Sequence, residues 1–214
     1  MAIVFTGDEF ADGGTHIAAV LAKRNIKASF FLTGNFYANP RHRTIINKLI
    51  KGGHYLGPHS DKHLLYCDWT KRDSLLVTNK MFLKDINSNY QKMLSFGITR
   101  KAAPVFLPPY EWYNDSIAAW CTRVGLKLIN FTPGTRTNAD YTTPAMKGYR
   151  SSEEIFNSII TYEQNSLNGL NGFIMLLHIG TDPAREDKFY KQLERLLRFL
   201  DDKGYQAVRV DELL

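Results

Sequence analysis

Short apolar segments alternate with longer amphipathic ones along the whole of this 214-residue chain. The apolar segments have the length and composition of β-strands, which the sequence predicts at residues 3–6, 28–32, 54–56, 104–107, 126–131, 173–177 and 206–210. Helices with one apolar stripe are predicted between them, at residues 15–24, 41–51, 70–96, 114–123, 151–162 and 188–203. Seven strands that alternate with helices favour parallel strands joined by right-handed crossovers. The predicted fold class is therefore α/β, either a barrel or an open doubly wound sheet.

Length and composition narrow the class of protein further. With 44% hydrophobic and 22% charged residues, the chain can bury a full core, and we expect a single domain over residues 1–214. There is no run of about eighteen apolar residues and no signal-peptide pattern, so we expect no membrane span, and export would depend on something outside this chain. The net charge of +6 is spread along the sequence, so we expect no nucleic-acid partner. Two cysteines are too few for a disulfide framework.

Side chains that can bind a metal or transfer a proton follow several predicted strands, at the point where each strand ends. They are Asp8 and Glu9 after the first strand, His59 and His63 after the third, Tyr110 after the fourth and His178 after the sixth. In a parallel barrel the carboxyl ends of the strands meet at one rim, which is where such barrels carry out chemistry. Four segments that are far apart in the sequence thus point to one site.

The histidine pair indicates a metal site. His59 and His63 are four residues apart, and on one turn of helix such positions share a face roughly 5–6 Å apart at Cβ. Two neutral histidines and one carboxylate form a three-ligand zinc site with an open position for water. Zinc lowers the pKa of that water to about 7 and polarises a carbonyl, which favours hydrolysis of an amide or ester. The residue types also leave open a core histidine at His178, and a turn or helix cap at Asp8 and Glu9.

A second carboxylate near such a site can take the proton of the water, and a histidine across the site can protonate the leaving group. The chain contains these residues within a longer series of sequence motifs. In chain order they are an opening strand with acidic residues, Lys27-Ala28-Ser29-Phe30-Phe31-Leu32-Thr33-Gly34, His59-Ser60-Asp61-Lys62-His63, Pro108-Pro109-Tyr110, Leu176-Leu177-His178 and Gly204-Tyr205-Gln206-Ala207-Val208. This set resembles the polysaccharide deacetylase family, also called carbohydrate esterase family four or the nodulation-protein-B homology domain.

The resemblance implies a distorted (β/α) barrel of seven parallel strands. It also implies the metal-dependent removal of N- or O-acetyl groups from a polysaccharide or oligosaccharide, with an acetylated glycan as the partner and a secreted or periplasmic location. In this family pattern His59 and His63 would ligate a divalent metal, zinc by preference. The Tyr110 amide would help bind the oxyanion, and His178 would be the acid.

The opening motif departs from the family pattern of Thr-Phe-Asp-Asp-Gly, in which the first Asp is the base and the second a metal ligand. Without a gap from the 28–32 strand, Asp8 is the ligand and Gly7 replaces the base. If Thr6 is matched to the family's Thr, Asp8 becomes the base and Glu9 the ligand. We favour Asp8 as the ligand, with Glu9 or Glu111 as the substitute base.

Two further positions differ from the pattern. Leu107 stands where the family commonly has an arginine that orients the base, and Arg136 is the nearest arginine in the following loop. The family's Asp-x-x-Asp-Trp motif has no evident counterpart in residues 135–141.

Three functions remain open at this point. The first is the metal-dependent deacetylase. The second is a catalytically impaired family member that binds glycan or metal, since general-base catalysis contributes roughly 10²- to 10⁴-fold and its loss leaves little turnover. The third is a non-haem iron oxygenase that uses Asp8, His59 and His63 as a facial triad, which the α/β alternation and His178 make unattractive.

Overall fold

The computed structural model describes residues 1–214 and has six parallel strands that alternate with helices. The strands are β1 (Ala2–Gly7), β2 (Ser29–Leu32), β3 (Tyr55–Pro58), β4 (Val105–Phe106), β5 (Lys127–Leu128) and β6 (Ile174–His178). The helices are α1 (Gly14–Lys23), α2 (Gly34–Ala38), α3 (Arg43–Lys51), α4 (Asn79–Leu94), α5 (Asp115–Arg123), α6 (Ser152–Asn165), α7 (Leu193–Asp202) and α8 (Val210–Leu213). The predicted parallel α/β class is confirmed.

The larger sheet places the ends of its strands at one level. Its order is β3-β2-β1-β6, and β4 and β5 form a second, two-stranded sheet. In the larger sheet Thr6 of β1 pairs with Phe31 of β2 on one side and with His178 of β6 on the other. Every residue of β1 is buried, as expected for a central strand that is covered on both faces.

Side chains close the ring between the two sheets. The Tyr55 hydroxyl of β3 accepts from the Val105 N–H of β4 at 2.8 Å and lies 3.2 Å from the Val105 carbonyl oxygen. On the other side, Thr132, which follows β5, donates its N–H to the Ile174 carbonyl of β6 at 3.0 Å, and its hydroxyl accepts from the Ile174 N–H at 3.0 Å. The strands thus form a distorted (β/α) barrel in the order β1 to β6.

The seventh strand predicted at residues 206–210 does not form. This segment makes a single parallel bridge, Val208 to Ala2, and the Val210 N–H donates to the Ser29 hydroxyl at 2.8 Å. α8 begins at Val210 and ends the extended chain there, and among the residues before it only Val208 pairs with β1. The prediction of seven strands is therefore corrected to six strands and one paired residue at the amino end of the barrel.

The long helix predicted at residues 70–96 is shorter than expected. It begins at Asn79, because Thr78 adopts an extended backbone and its hydroxyl accepts from the Met81 N–H at 3.2 Å, which caps the helix. Residues 70–77 form an irregular segment instead. The strand predicted at residues 126–131 is likewise reduced to the two residues of β5.

A cluster of 49 buried residues forms the hydrophobic core inside the barrel and under the helices. Both cysteines, Cys67 and Cys121, are buried and free. No helix combines the length and the apolar character needed to cross a bilayer.

The closure of the barrel through Tyr55 is testable by denaturation. Tyr55→Phe leaves the N–H of the buried Val105 without its partner, and we expect a loss of about 1–3 kcal/mol in the free energy of unfolding, measured in urea. Tyr37→Phe is the matched control, because the Tyr37 hydroxyl is buried without any partner and its removal leaves nothing unpaired. A Tyr55→Phe variant as stable as the wild type would contradict this account of closure.

Candidate active site

The carboxyl ends of the strands surround an open cavity of about 430 Å³. All six side chains singled out in the sequence line it, namely Asp8, Glu9, His59, His63, Tyr110 and His178. Glu111, Trp69, Tyr141 and Met146 are among the other lining residues. The structure therefore brings together the four segments that the sequence places apart.

His59 and His63 lie on an irregular loop after β3, so the prediction of a helical turn here is wrong. Ser60 and His63 have φ angles of 74° and 53°, in the left-handed region that a right-handed helix excludes. The loop nevertheless brings the two imidazole rings to a centroid distance of 5.1 Å.

Two polar side chains of α4 hold this loop. Asp85 accepts from the backbone N–H groups of Asp61 and Lys62, each at 3.1 Å. Asn89 accepts from the His59 N–H at 3.0 Å. Sequence reasoning missed both residues, although their spacing of four on the buried face of a helix is a signal that they act on one neighbour.

Hydrogen bonding leaves the histidine nitrogens free for a ligand. His59 Nδ1 lies 2.7 Å from the Leu107 carbonyl oxygen, so it carries the proton, and Nε2 keeps its lone pair and has no partner. Neither ring nitrogen of His63 has a hydrogen-bond partner. Burial lowers the pKa of His59 well below its usual value, and the neighbouring His63 adds to this effect. Burial also lowers the pKa of His63, against the opposing effect of the Asp8 carboxylate. Both rings are therefore held neutral, the form that binds metal.

Asp8 is positioned by the residues that follow β2. Its Oδ1 accepts from the Thr33 hydroxyl at 2.6 Å and from the Asn35 side-chain amide at 3.1 Å. Thr33 also caps α2, since its hydroxyl accepts from the Phe36 N–H. Because only Oδ1 of Asp8 is engaged, Oδ2 is available to a cation.

Asp8 Oδ2, His59 Nε2 and a ring nitrogen of His63 make up the donor set of a catalytic zinc site. All three residues line the same cavity. No group of three or more His, Cys, Asp or Glu side chains is already gathered in a metal-binding arrangement. The donor chemistry fits a divalent metal, and the three side chains would have to converge to share one ion.

His178 is paired with an aspartate that the sequence did not single out. Asp140 Oδ1 lies 2.6 Å from His178 Nδ1, and Asp140 Oδ2 accepts from the His178 backbone N–H at 2.9 Å. Burial lowers the pKa of His178, but Asp140, together with Glu111, outweighs it, so the net pKa lies above the usual value. The stretch 135–141, which showed no evident motif, thus supplies the partner of His178.

Two glutamates line the cavity, and they differ in how far they are buried. Glu9 is exposed at the rim and makes no side-chain hydrogen bond. Glu111 is half-buried, and burial raises the pKa of its carboxyl to about 7, with His178 opposing this and Asp140 adding to it.

Tyr110 and Glu111 have φ angles of 59° and 54°, two consecutive left-handed residues that are not glycine. Such strain clusters at functional sites, where the surrounding fold imposes it.

The family's usual base and its arginine have no counterpart in space. A Cβ at Gly7 would lie 2.6 Å from an Ile179 methyl group and 2.9 Å from a Leu32 methyl group, so a side chain there would meet the apolar core. Leu107 is fully buried and contributes only its carbonyl, to His59. Arg136 is exposed and does not line the cavity.

Aromatic side chains form the rim of the cavity. Trp69 is 53% exposed and packs edge-on against Tyr110, with ring centroids 5.4 Å apart. Tyr110 in turn contacts His63 at a centroid distance of 4.4 Å. On the other flank the Tyr141 ring lies 5.0 Å from the His178 ring. The site therefore presents exposed ring faces next to its polar groups.

Residues 3–129 match the sequence model of a family described as Polysaccharide deacetylase. The uncharacterised protein YlxY of Bacillus subtilis is 27% identical over 195 residues, which cover 91% of this chain and 51% of YlxY. An uncharacterised 30.6 kDa protein of Geobacillus stearothermophilus is 23% identical over 217 residues, which cover 99% of this chain and 70% of that protein. The chain thus spans about half the length of the Bacillus subtilis relative.

Solved structures share the fold at low sequence identity. A CE4 family pseudoenzyme from Bacillus anthracis superimposes with a TM-score of 0.74 at 14% identity, over 99% of this chain and 64% of its own. The Bc1960 peptidoglycan N-acetylglucosamine deacetylase gives a TM-score of 0.74 at 17% identity, over 100% of this chain and 86% of its own. The peptidoglycan deacetylase PdaC of Bacillus subtilis gives 0.70 at 21% identity, over 99% of this chain and 88% of its own. These similarities show a common architecture that both an enzyme and a pseudoenzyme adopt.

The His178–Asp140 pair predicts a change in titration. Asp140→Asn removes the charge that raises the pKa of His178, so we expect that pKa to fall, as followed by the imidazole proton shifts in NMR. Asp182→Asn is the control, since Asp182 lines the cavity but is not among the groups that shift the pKa of His178. An unchanged His178 pKa in Asp140→Asn would show that the pair does not set the charge of the imidazole.

Proposed function

Because this chain belongs to the polysaccharide deacetylase family, we propose that it is a metal-dependent hydrolase that removes N- or O-acetyl groups from a polysaccharide or oligosaccharide. The observation that carries the proposal is the joint presence, in one cavity, of the Asp8, His59 and His63 donor set and of His178, which is paired with the buried Asp140. We also propose that residues 1–214 act as a single domain. The peptidoglycan deacetylases among its structural relatives support an extracellular or periplasmic place of action.

A divalent metal, zinc by preference, held by Asp8, His59 and His63 would supply Lewis acidity toward the acetyl carbonyl and lower the pKa of a water molecule. The side chains of this protein do the rest. The Leu107 carbonyl fixes the tautomer of His59, and Thr33 and Asn35 orient Asp8.

His178 is the proposed acid. Asp140 holds the proton on Nδ1 and raises the pKa of the ring, which favours the imidazolium that would protonate the leaving nitrogen or oxygen from its Nε2. The Tyr110 amide is the proposed oxyanion donor. Tyr110 lines the cavity and has a left-handed backbone, which supports this role.

The exposed rings at the rim support a carbohydrate substrate. Trp69 and Tyr141 are 53% and 46% exposed and flank the polar groups on two sides. A flat apolar ring face suits the apolar face of a sugar ring, while the polar groups in the cavity suit the acetyl group.

A catalytically impaired protein that only binds glycan or metal is the second candidate. It is favoured by Gly7, which stands where the ungapped register expects the base, and by the structural similarity to a pseudoenzyme. The His178–Asp140 pair favours the hydrolase, since simple binding of a glycan needs no oriented acid.

Metal-dependent acetate release distinguishes the two candidates. We expect the wild-type protein to release acetate from acetylated oligosaccharides with zinc and not after chelation. Free zinc at 100 times its dissociation constant should also raise the melting temperature by about 5–10 °C, because it binds only the native state. His63→Ala should lose both effects, whereas His16→Ala should keep them, since His16 is exposed outside the cavity. Metal binding without acetate release would support the impaired protein instead.

Trp69 gives a separate test of the substrate. Trp69→Ala should raise KM by roughly 3- to 10-fold, the value of one aromatic stacking contact, and leave zinc binding unchanged. Trp69→Phe, which keeps a ring, is the matched control and should stay close to wild type. Equal KM values for Trp69→Ala and wild type would remove Trp69 from the substrate site.

A further inference from the structure

We propose that Glu111 is the general base of this protein and that it takes the place left empty by Gly7. This inference rests on the proposed hydrolase function and names a residue that acts in it. It assigns to Glu111 the role that the sequence interpretation divided between Glu9 and Glu111.

The first argument is that residue 7 has no room for a base. A Cβ at Gly7 would point toward Ile179, Leu32 and Phe36, with contacts of 2.6 to 3.1 Å. A longer acidic side chain would therefore enter the apolar core and not the cavity. The carboxylate for proton transfer therefore comes from a residue other than residue 7.

The second argument is that the Glu111 backbone is held by hydrogen bonds at the cavity wall and its side chain is less exposed than that of Glu9. The Glu111 N–H donates to the Pro108 carbonyl at 3.0 Å, and the Glu111 carbonyl accepts from the Asn130 side chain at 2.9 Å. These two bonds hold the left-handed backbone at residue 111. Glu9 is exposed at the rim, whereas Glu111 is half-buried in the wall. A less exposed base loses less freedom when it is oriented for proton transfer, which favours Glu111 over Glu9.

The third argument is that the Glu111 carboxylate is unengaged. It makes no hydrogen bond and no ion pair with the protein, although its surroundings include Asp140, Tyr141 and the His178 imidazole. A half-buried carboxylate that stabilises the fold would be expected to accept hydrogen bonds. Burial raises the pKa of this group to about 7, in the range where a carboxylate both accepts and returns a proton near neutral pH.

In the proposed step Glu111 accepts one proton and His178 donates one. Glu111 takes one proton from water as the water oxygen bonds to the acetyl carbon. The bond from this carbon to nitrogen or oxygen then breaks, its electron pair stays on the leaving atom, and that atom takes a proton from His178. The products are acetic acid, which releases its proton to solvent as acetate, and a free amine or hydroxyl. Each of the two residues affects the pKa of the other, and transfer of a proton from Glu111 to His178 restores the starting state.

The left-handed backbone at residue 111 allows a variant that removes the carboxylate without adding backbone strain. Glu111→Gly removes the carboxylate and also relieves the positive φ, which glycine adopts without steric cost. We expect its melting temperature to equal or exceed that of wild type, so that any loss of activity cannot be ascribed to unfolding. Glu111→Gln, which keeps the shape of the side chain, is the second variant.

The experiment measures acetate release, zinc binding and melting temperature for wild type, Glu111→Gly, Glu111→Gln and Glu9→Gln. We expect kcat to fall by about 10²- to 10⁴-fold in both Glu111 variants, with zinc binding retained, and Glu9→Gln to keep a higher kcat than either Glu111 variant. Formate added to Glu111→Gly should restore part of the lost kcat in proportion to its concentration, because a small carboxylate can occupy the vacated space. A residue with only a structural role would not give this rescue.

Two outcomes overturn the inference in different ways. If wild type is active and both Glu111 variants keep full kcat, Glu111 is not the base, and the hydrolase proposal stands. If wild type releases no acetate under any metal condition, the proposed function fails and the inference fails with it.

Discussion

A buried carboxylate on α4 holds the loop that carries both candidate metal-binding histidines. Asp85 accepts from two consecutive backbone N–H groups of that loop and from the Tyr66 hydroxyl, which lies 2.8 Å away. Asn89, one turn later on the same face of α4, accepts from the His59 N–H and donates to the Leu32 carbonyl. An unpaired buried amide costs about 1–3 kcal/mol, so these bonds decide which backbone conformation the loop adopts. The left-handed residues Ser60 and His63 lie in this same loop.

The candidate site consists of two groups of side chains. On one side Asp8 and the two histidines keep unengaged donor atoms, because each is oriented through its other atoms or by the backbone. On the other side Asp140, His178 and Glu111 form a group of titratable side chains in which burial and the charge of a neighbour have opposing effects on the pKa of His178 and of Glu111. The strained residues Tyr110 and Glu111 lie between the two sides. If Glu111 is the base, as we propose, the carboxylate that Gly7 lacks comes from the segment after β4 instead.

Much of the fold and of the site was predictable, because it follows from local sequence patterns. The apolar runs before Gly7 and before His178 are too short for helices, and their carboxyl ends mark the rim. The site residues at those ends converge as predicted, and their roles stay predictions. The long-range parts were not predictable. The loop conformation depends on bonds between residues 23 to 30 positions apart, and the His178–Asp140 pair spans 38 positions. The last predicted strand failed because α8 begins at Val210 and ends the extended chain.

The most direct test of this account is the location of a bound metal in crystals of the wild-type protein soaked with zinc, by anomalous scattering at the zinc edge. We predict one peak in contact with Asp8, His59 and His63, with Glu111 facing it from the cavity wall. A peak bound by any other residues, or no peak at a zinc concentration that saturates the protein in solution, would contradict the proposed metal site.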